Sequence, residues 1–310
     1  MIGIRNRGKS SVLESLFNLN TFPIADEVVT HRPIELNLHY INSDESWVTF
    51  EEIGGEKFND FEKVKYKIES LNEQLCRLPE KYIDKPMILN AYSKKYADIT
   101  LIDLPGIVSF SFIDAQNKIY FITRDITRKY IKDQSNVILC VIPGNSDIEQ
   151  YYNIIINDIY INQGIVESRT LGNLTKLDII DIGSDVKEEL LNKNNSFKFD
   201  FTGVKLRSKI DIIDNKISVK EGKEKEKEFF KSHPIYGKMP DGYLGIDILM
   251  NKLTKLYFRV IKENLPQSIK ITINGIFSNK KDEDSDLNEI YKNKDVKIKE
   301  LLNMINQNCY

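Results

Sequence analysis

Three short runs in this sequence carry residues whose types and spacing can handle a nucleoside triphosphate. The first is Gly3, Ile4, Arg5, Asn6, Arg7, Gly8, Lys9, Ser10 and Ser11, which fits Gly-x-x-x-x-Gly-Lys-Ser/Thr. Small residues let consecutive backbone N–H groups turn inward onto phosphate oxygens, and Lys9 reaches the β and γ oxygens. The Ser10 hydroxyl is suited to Mg²⁺, and a following helix would aim its positive end at the anion. The second run, Asp103-Leu104-Pro105-Gly106, offers a carboxylate that can reach the metal through water and a Gly106 N–H that can face the γ-phosphate. In the third, Thr175, Lys176, Leu177 and Asp178, the carboxylate can accept both N–H donors of guanine while Lys176 lies along the base. Adenine presents an acceptor and an amino group at those edges. A carboxylate left unpaired by the wrong base is costly, so the set favours GTP over ATP and disfavours an ATP-using enzyme.

Each run has to leave the end of a secondary-structure element, and the hydrophobic pattern supplies them. Val12, Leu13, Leu16 and Phe17 predict a helix opened by Ser10, and 21–32 reads as loop. Ile34, Leu36, Leu38 and Tyr40 alternate with polar residues, as in a half-buried strand, and Trp47–Phe50 could pair beside it. A helix is expected over 58–78, strands over 87–92 and 99–103, and a long helix over 116–132. The continuous apolar run 137–142 fits a strand covered on both faces. A helix around 150–160, strands at 170–174 and 199–204, and a strong helix over 245–264 follow. The densely charged 220–231 reads as a solvated helix with opposite signs along one face, and 287–305 as a last helix after a charged linker. Strands alternating with helices predict an α/β fold with a mainly parallel central sheet flanked by helices, its ligand beyond the C-terminal strand ends. Only Met1 and Ile2 precede Gly3, so the first strand is expected to be largely missing and the chain to lack its natural beginning.

Composition narrows the class. Charged residues make up 29% of 310, yet the net charge is only −2, which argues against nucleic acid as the main partner. Cys76, Cys140 and Cys309 are odd in number and widely spaced, which disfavours a disulfide framework or a zinc site. No apolar run approaches a membrane span and the N-terminus is no signal peptide, so a cytoplasmic protein, peripheral at membranes if it meets them, is expected.

The three motifs in this order, over nearly the whole chain, resemble the dynamin superfamily of large GTPases. The resemblance runs through Gly8 to Glu14, Val29 to Ile34, Lys57 to Glu62, Asp103 to Gly106, Pro143 to Asp147 and Arg169 to Gly172. It continues through Thr175 to Asp181, Gly203 to Ser208, Glu228 to Pro234, Leu265-Pro266 and Lys297 to Met304. It implies a dynamin-type GTPase domain over 1–243, a helix and linker resembling the family's bundle and hinge over 244–278, and a charged linker with the start of a stalk-like helix over 279–310. It further implies GTP and Mg²⁺ as ligands, with Ser10, Thr30 and Asp103 at the metal, Thr30 also helping to place water and Gly106 among the catalytic residues at the γ-phosphate. Leu206, Arg207 and Ser208 would cover base and ribose, and Asp147 would reach the partner's nucleotide in a self-associated pair of GTPase domains. Membrane remodelling, and for some members microtubules, would involve segments with no room in this chain.

Several positions depart from the family's pattern. Arg5 and Asn6 stand where the family carries a water-positioning Gln and a cation-holding Ser, and Ala25 and Glu27 replace glycines of that cation site. Val108-Ser109 stands in for Thr-Lys, and Leu206 for an Asn near the base. Nucleotide binding is therefore expected to be retained and the hydrolytic machinery altered. Asn6 could hold K⁺, Arg5 or Arg7 could supply a guanidinium in cis, or catalysis could have decayed to leave a GTP-binding interaction module. Asp147 has an alternative role as the cap of the following helix.

Overall fold

The computed structural model describes residues 1–4, 8–17, 30–76, 83–96, 98–107, 117–155, 166–181, 183–193 and 197–264. The chain divides into two compact units, Met1–Ile261 and Lys262–Tyr310, and all described residues but 262–264 belong to the first. The expected last helix over 287–305 lies outside the described residues.

Two four-stranded runs build the sheet. In one, β1 (Ile2–Gly3), β6 (Ile138–Pro143), β7 (Thr170–Thr175) and β8 (Phe201–Gly203) lie side by side and all parallel. In the other, the order is β3 (Trp47–Phe50), β4 (Met87–Ser93), β2 (Ile34–Tyr40) and β5 (Ile99–Asp103). Here β2 and β4 are parallel, while β3 and β5 run antiparallel to their neighbours. A parallel bridge between Ile4 and Ile107 joins the two runs, where the Ile107 N–H donates to the Gly3 carbonyl at 3.1 Å. The apolar run in β6 is buried at every position because helices cover both faces, whereas β2 alternates.

On one face, α1 (Lys9–Phe17) and α8 (Ile246–Asn264) pack Val12, Leu16, Ile246, Leu249, Leu256 and Val260 against Leu139, Val141 and Leu171. Each such side chain contributes roughly 1.5–3 kcal/mol on burial, so apolar packing is what holds α8 to the sheet. Leu13 of α1 and Val64 and Ile68 of α2 (Phe61–Cys76) cover β2, β4 and β5. The other face takes α3 (Asn117–Lys132), α4 (Ile148–Ile155), α5 (Lys187–Leu191) and α7 (Val219–Ser232) through Ile126, Ile131, Tyr152, Leu190 and Phe230. A five-residue helix, α6 (Lys209–Ile213), precedes α7.

The structure corrects three sequence expectations. The helix expected from residue 58 starts at Phe61, because Phe58 forms a bridge with Val48 and the Asp60 carboxylate accepts the Glu62 N–H at 2.9 Å. Strand β3 pairs with β4 rather than β2. The charged helix α7 is not solvated all round: Val219, Glu226 and Phe230 are buried.

Candidate functional site

The phosphate-loop motif leaves β1 and opens α1. A methyl group on Gly3 would run into the Val141 carbonyl oxygen, so β1 can lie this close to β6 only with glycine there. Gly8 has φ +88°, a left-handed conformation, and its carbonyl accepts the Val12 N–H at 2.9 Å as the helix begins. A Cβ built on Gly8 would lie 3.6 Å from Leu206 Cδ1 and 3.8 Å from the Thr175 side chain. That closeness brings together three sequence-distant runs: the phosphate loop, the end of β7 and the stretch after β8. Arg5, Asn6 and Arg7 lie outside the described residues, as do 25, 27, 108 and 109.

Behind the loop, Lys9 is buried and its Nζ donates to the Ile4 carbonyl at 3.3 Å. The Ser10 hydroxyl donates to Asp103 Oδ2 at 2.7 Å across 93 residues of sequence. Asp103 is fully buried at the end of β5, and its other oxygen, Oδ1, has no hydrogen-bond partner among the described residues. Burial pushes the Asp103 carboxyl above its ordinary range, while Lys9 and the Ser10 hydroxyl pull it down. A buried carboxylate oxygen without a donor is expensive, and beside a serine hydroxyl it fits a divalent cation or its water shell. The residues present therefore suit Mg²⁺. Gly106 is buried one residue before the Ile107 bridge to Gly3. Thr30 is half-buried; no hydrogen bond among the described residues joins it to Ser10 or Asp103.

At the base end, Lys176 has φ 61° and Leu177 is buried, which leaves Asp178 exposed at the mouth of β7. Lys205 Nζ lies 4.0 Å from Asp178 Oδ2. Leu206 is half-buried near Gly8, as a cover for a base would be. Arg207 turns elsewhere: its guanidinium donates to Glu14 Oε2 at 3.2 Å and to the Ile217 carbonyl at 2.8 Å. It thereby fastens the stretch after β8 to α1. Ser208 accepts the Asp211 N–H and caps α6.

Asp147 lies exposed at the start of α4, where its Oδ1 accepts the Gln150 N–H at 2.9 Å. It borders a cavity of about 560 Å³ that also meets Glu149, Asp181, Asp185, Glu188 and Glu189. So many carboxylates repel phosphate, and the triphosphate is better served at Lys9 and Ser10.

The model for the dynamin family matches residues 1–177, and that for the dynamin central region matches 185–310. Dynamin-related protein 3A of Arabidopsis thaliana is 31% identical over 315 residues, covering 100% of this chain and 38% of its own. The chain belongs to the dynamin family. Dynamin-3 of Rattus norvegicus and Dynamin-1 of Homo sapiens are each 32% identical over 266 residues, covering 86% of this chain. The chain spans at most 38% of the length of these dynamins. Its mainly parallel sheet, flanked by helices and carrying the phosphate-loop motif at the end of β1, is the α/β fold expected of a GTPase domain of this family. Among the described residues of this dynamin-family chain, no helix is long and apolar enough to cross a membrane.

Two residues of the site escape a motif search. Glu14 sits one turn beyond Ser10 on α1 and is buried against Arg207; it closes the matching stretch from Gly8, but an acid among Val12, Leu13 and Leu16 does not by itself point to a guanidinium. Glu226 is hidden in a run of charge that reads as surface, and its sole mark is its position four residues before Phe230.

Proposed function

We propose that this chain binds guanine nucleotide with Mg²⁺ and hydrolyses GTP, in a domain that pairs with a second copy and serves membrane remodelling in the complete protein. The observation that carries the reading is the Ser10–Asp103 pair, whose buried Asp103 Oδ1 lacks a hydrogen-bond partner among the described residues, with Gly8 of the same motif lying close to Thr175 at the end of β7. Ser10, Asp103 and Thr30 would hold Mg²⁺, which when bound neutralises phosphate charge. Lys9 supplies a point charge to the phosphates, Asp178 reads the guanine edge, and Leu206 covers the base. The 1–243, 244–278 and 279–310 division is part of the same reading, with the catalytic portion in the first segment.

Arg5 and Asn6 decide how charge is compensated at the bond that breaks. Single-turnover GTP hydrolysis in KCl against NaCl tests this. Turnover that rises with K⁺ and is lost in Asn6→Ala assigns an ion at Asn6. Turnover indifferent to the cation and lost in Arg5→Ala or Arg7→Ala assigns a guanidinium, which can be worth about 10³–10⁵ in rate. Absence of turnover with GTP bound overturns the hydrolase reading and leaves an interaction module.

A further inference from the structure

We propose that Glu226 is a positioning residue that ties the base-reading end of the nucleotide site to the first turn of α8, so that seating a guanine base and ordering that turn are linked. The inference rests on the guanine-nucleotide reading above.

Glu226 sits midway along α7 and is 2% exposed. Its Oε1 accepts the Lys205 N–H at 2.9 Å, and its Oε2 accepts the Ile246 N–H at 2.9 Å. Lys205 is the second residue after β8, and its ammonium lies 4.0 Å from Asp178, the candidate reader of guanine. Ile246 is the first residue of α8, where a backbone N–H has no partner inside the helix. Four polar groups thus run in series: Asp178, Lys205, Glu226 and the α8 terminus. The charges of Lys223 and Asp247 act on Glu226 from nearby, and the two pair with each other at 3.7 Å. Glu226 is therefore committed to backbone donors at both ends.

Strand β8 and the start of α8 are already joined at one point. The Gly203 N–H donates to the Tyr243 carbonyl and the Gly245 N–H to the Gly203 carbonyl, both at 2.8 Å. Glu226 adds a second attachment two residues further along, at Lys205, on the side of the base. A base that draws Asp178 away from the Lys205 ammonium, or fixes the two together, changes the restraint on Lys205 and hence on the carboxylate that holds Ile246. By reciprocity, ordering of α8 changes the affinity of the site for the base.

Hydrogen exchange of the full chain, with and without saturating GDP and Mg²⁺, tests the coupling. In the wild type GDP is expected to slow exchange at both 205–208 and 246–249, the latter at least about five-fold. Glu226→Gln is nearly isosteric but offers one acceptor oxygen, so it can hold only one of the two donors. In that variant GDP should still protect 205–208, while the gain at 246–249 falls below about two-fold against the wild-type value. Glu226→Asp, charged but one methylene shorter, should behave alike and replaces the Gln variant if that one fails to fold. An equal gain at 246–249 in wild type and variants, or none in the wild type while 205–208 is protected, overturns the coupling alone. Failure of the wild type to bind GDP overturns the nucleotide reading and the coupling with it.

Discussion

At the residue scale the site is a set of polar atoms that the fold buries and holds at fixed distances. Lys9 is buried beside Asp103 at the start of α1, where its ammonium can meet the phosphates, so Lys9→Ala should weaken GDP binding by about 100-fold or more in calorimetry, hydrogen bonds to charged groups contributing about 1.5–3 kcal/mol each. Asp178→Asn should exchange guanine for xanthine preference, read as a reversal of GDP and XDP affinities in the same titration. Glu226 makes a prediction about pH. Burial raises its carboxyl to about 7, above its ordinary 4.5, while the Ile246 and Lys205 N–H groups pull it back. A group raised on folding lends stability that is full below its unfolded value and is lost as pH rises through its folded value. Urea unfolding should therefore show the wild type losing stability relative to Glu226→Gln between about pH 4.5 and 7, by at most about 3 kcal/mol. The motif residues Lys9, Ser10, Asp103 and Asp178 were legible because their spacing is tied to phosphate and base geometry. Glu14, Lys205 and Glu226 were not, because nothing in their local sequence says that a distant backbone donor or guanidinium waits for them.

At the scale of elements, legibility followed length and contrast. The run 137–142 announced β6 because six apolar residues have no other place, and the 3.6-residue rhythm of 245–264 announced α8. Helices α5 and α6, five residues each, are shorter than two turns and carry no period to read. The sequence pattern places the start of α2 too early because Phe58 satisfies a helical pattern equally well, and tertiary pairing with Val48 takes it instead. Just after Thr30, Arg32 forms a bidentate pair with Glu52 at 2.5 and 2.7 Å, with the Arg32 side chain 5% exposed. Glu52→Ala strands that guanidinium and should cost about 3 kcal/mol of stability by denaturant unfolding, near the low end for a buried pair because Glu52 is 21% exposed. Leu249→Ala, at a fully buried position of α8, should cost about 2–5 kcal/mol in the same assay.

At the scale of the whole molecule, the α/β architecture and the family were readable from the order of the three motifs, and the parallel β1-β6-β7-β8 run bears the fold out. Self-association was readable only through resemblance. Asp147 caps α4 through Gln150, which accounts for an aspartate there without a second copy. If it also reaches a partner, Asp147→Ala should reduce dimers formed with GDP and a γ-phosphate mimic in ultracentrifugation while monomer affinity for GDP stays put. Unchanged dimerisation assigns Asp147 to the cap. Under the proposed function Asp178, Lys9 and the Ser10–Asp103 pair form one guanine nucleotide site. Calorimetric titration of the wild-type chain with GDP and with ADP, each with Mg²⁺, tests it most directly. A site built to pair both guanine donors should favour GDP by about 10³-fold or more. Equal affinity for the two nucleotides, or heat from neither, would contradict it.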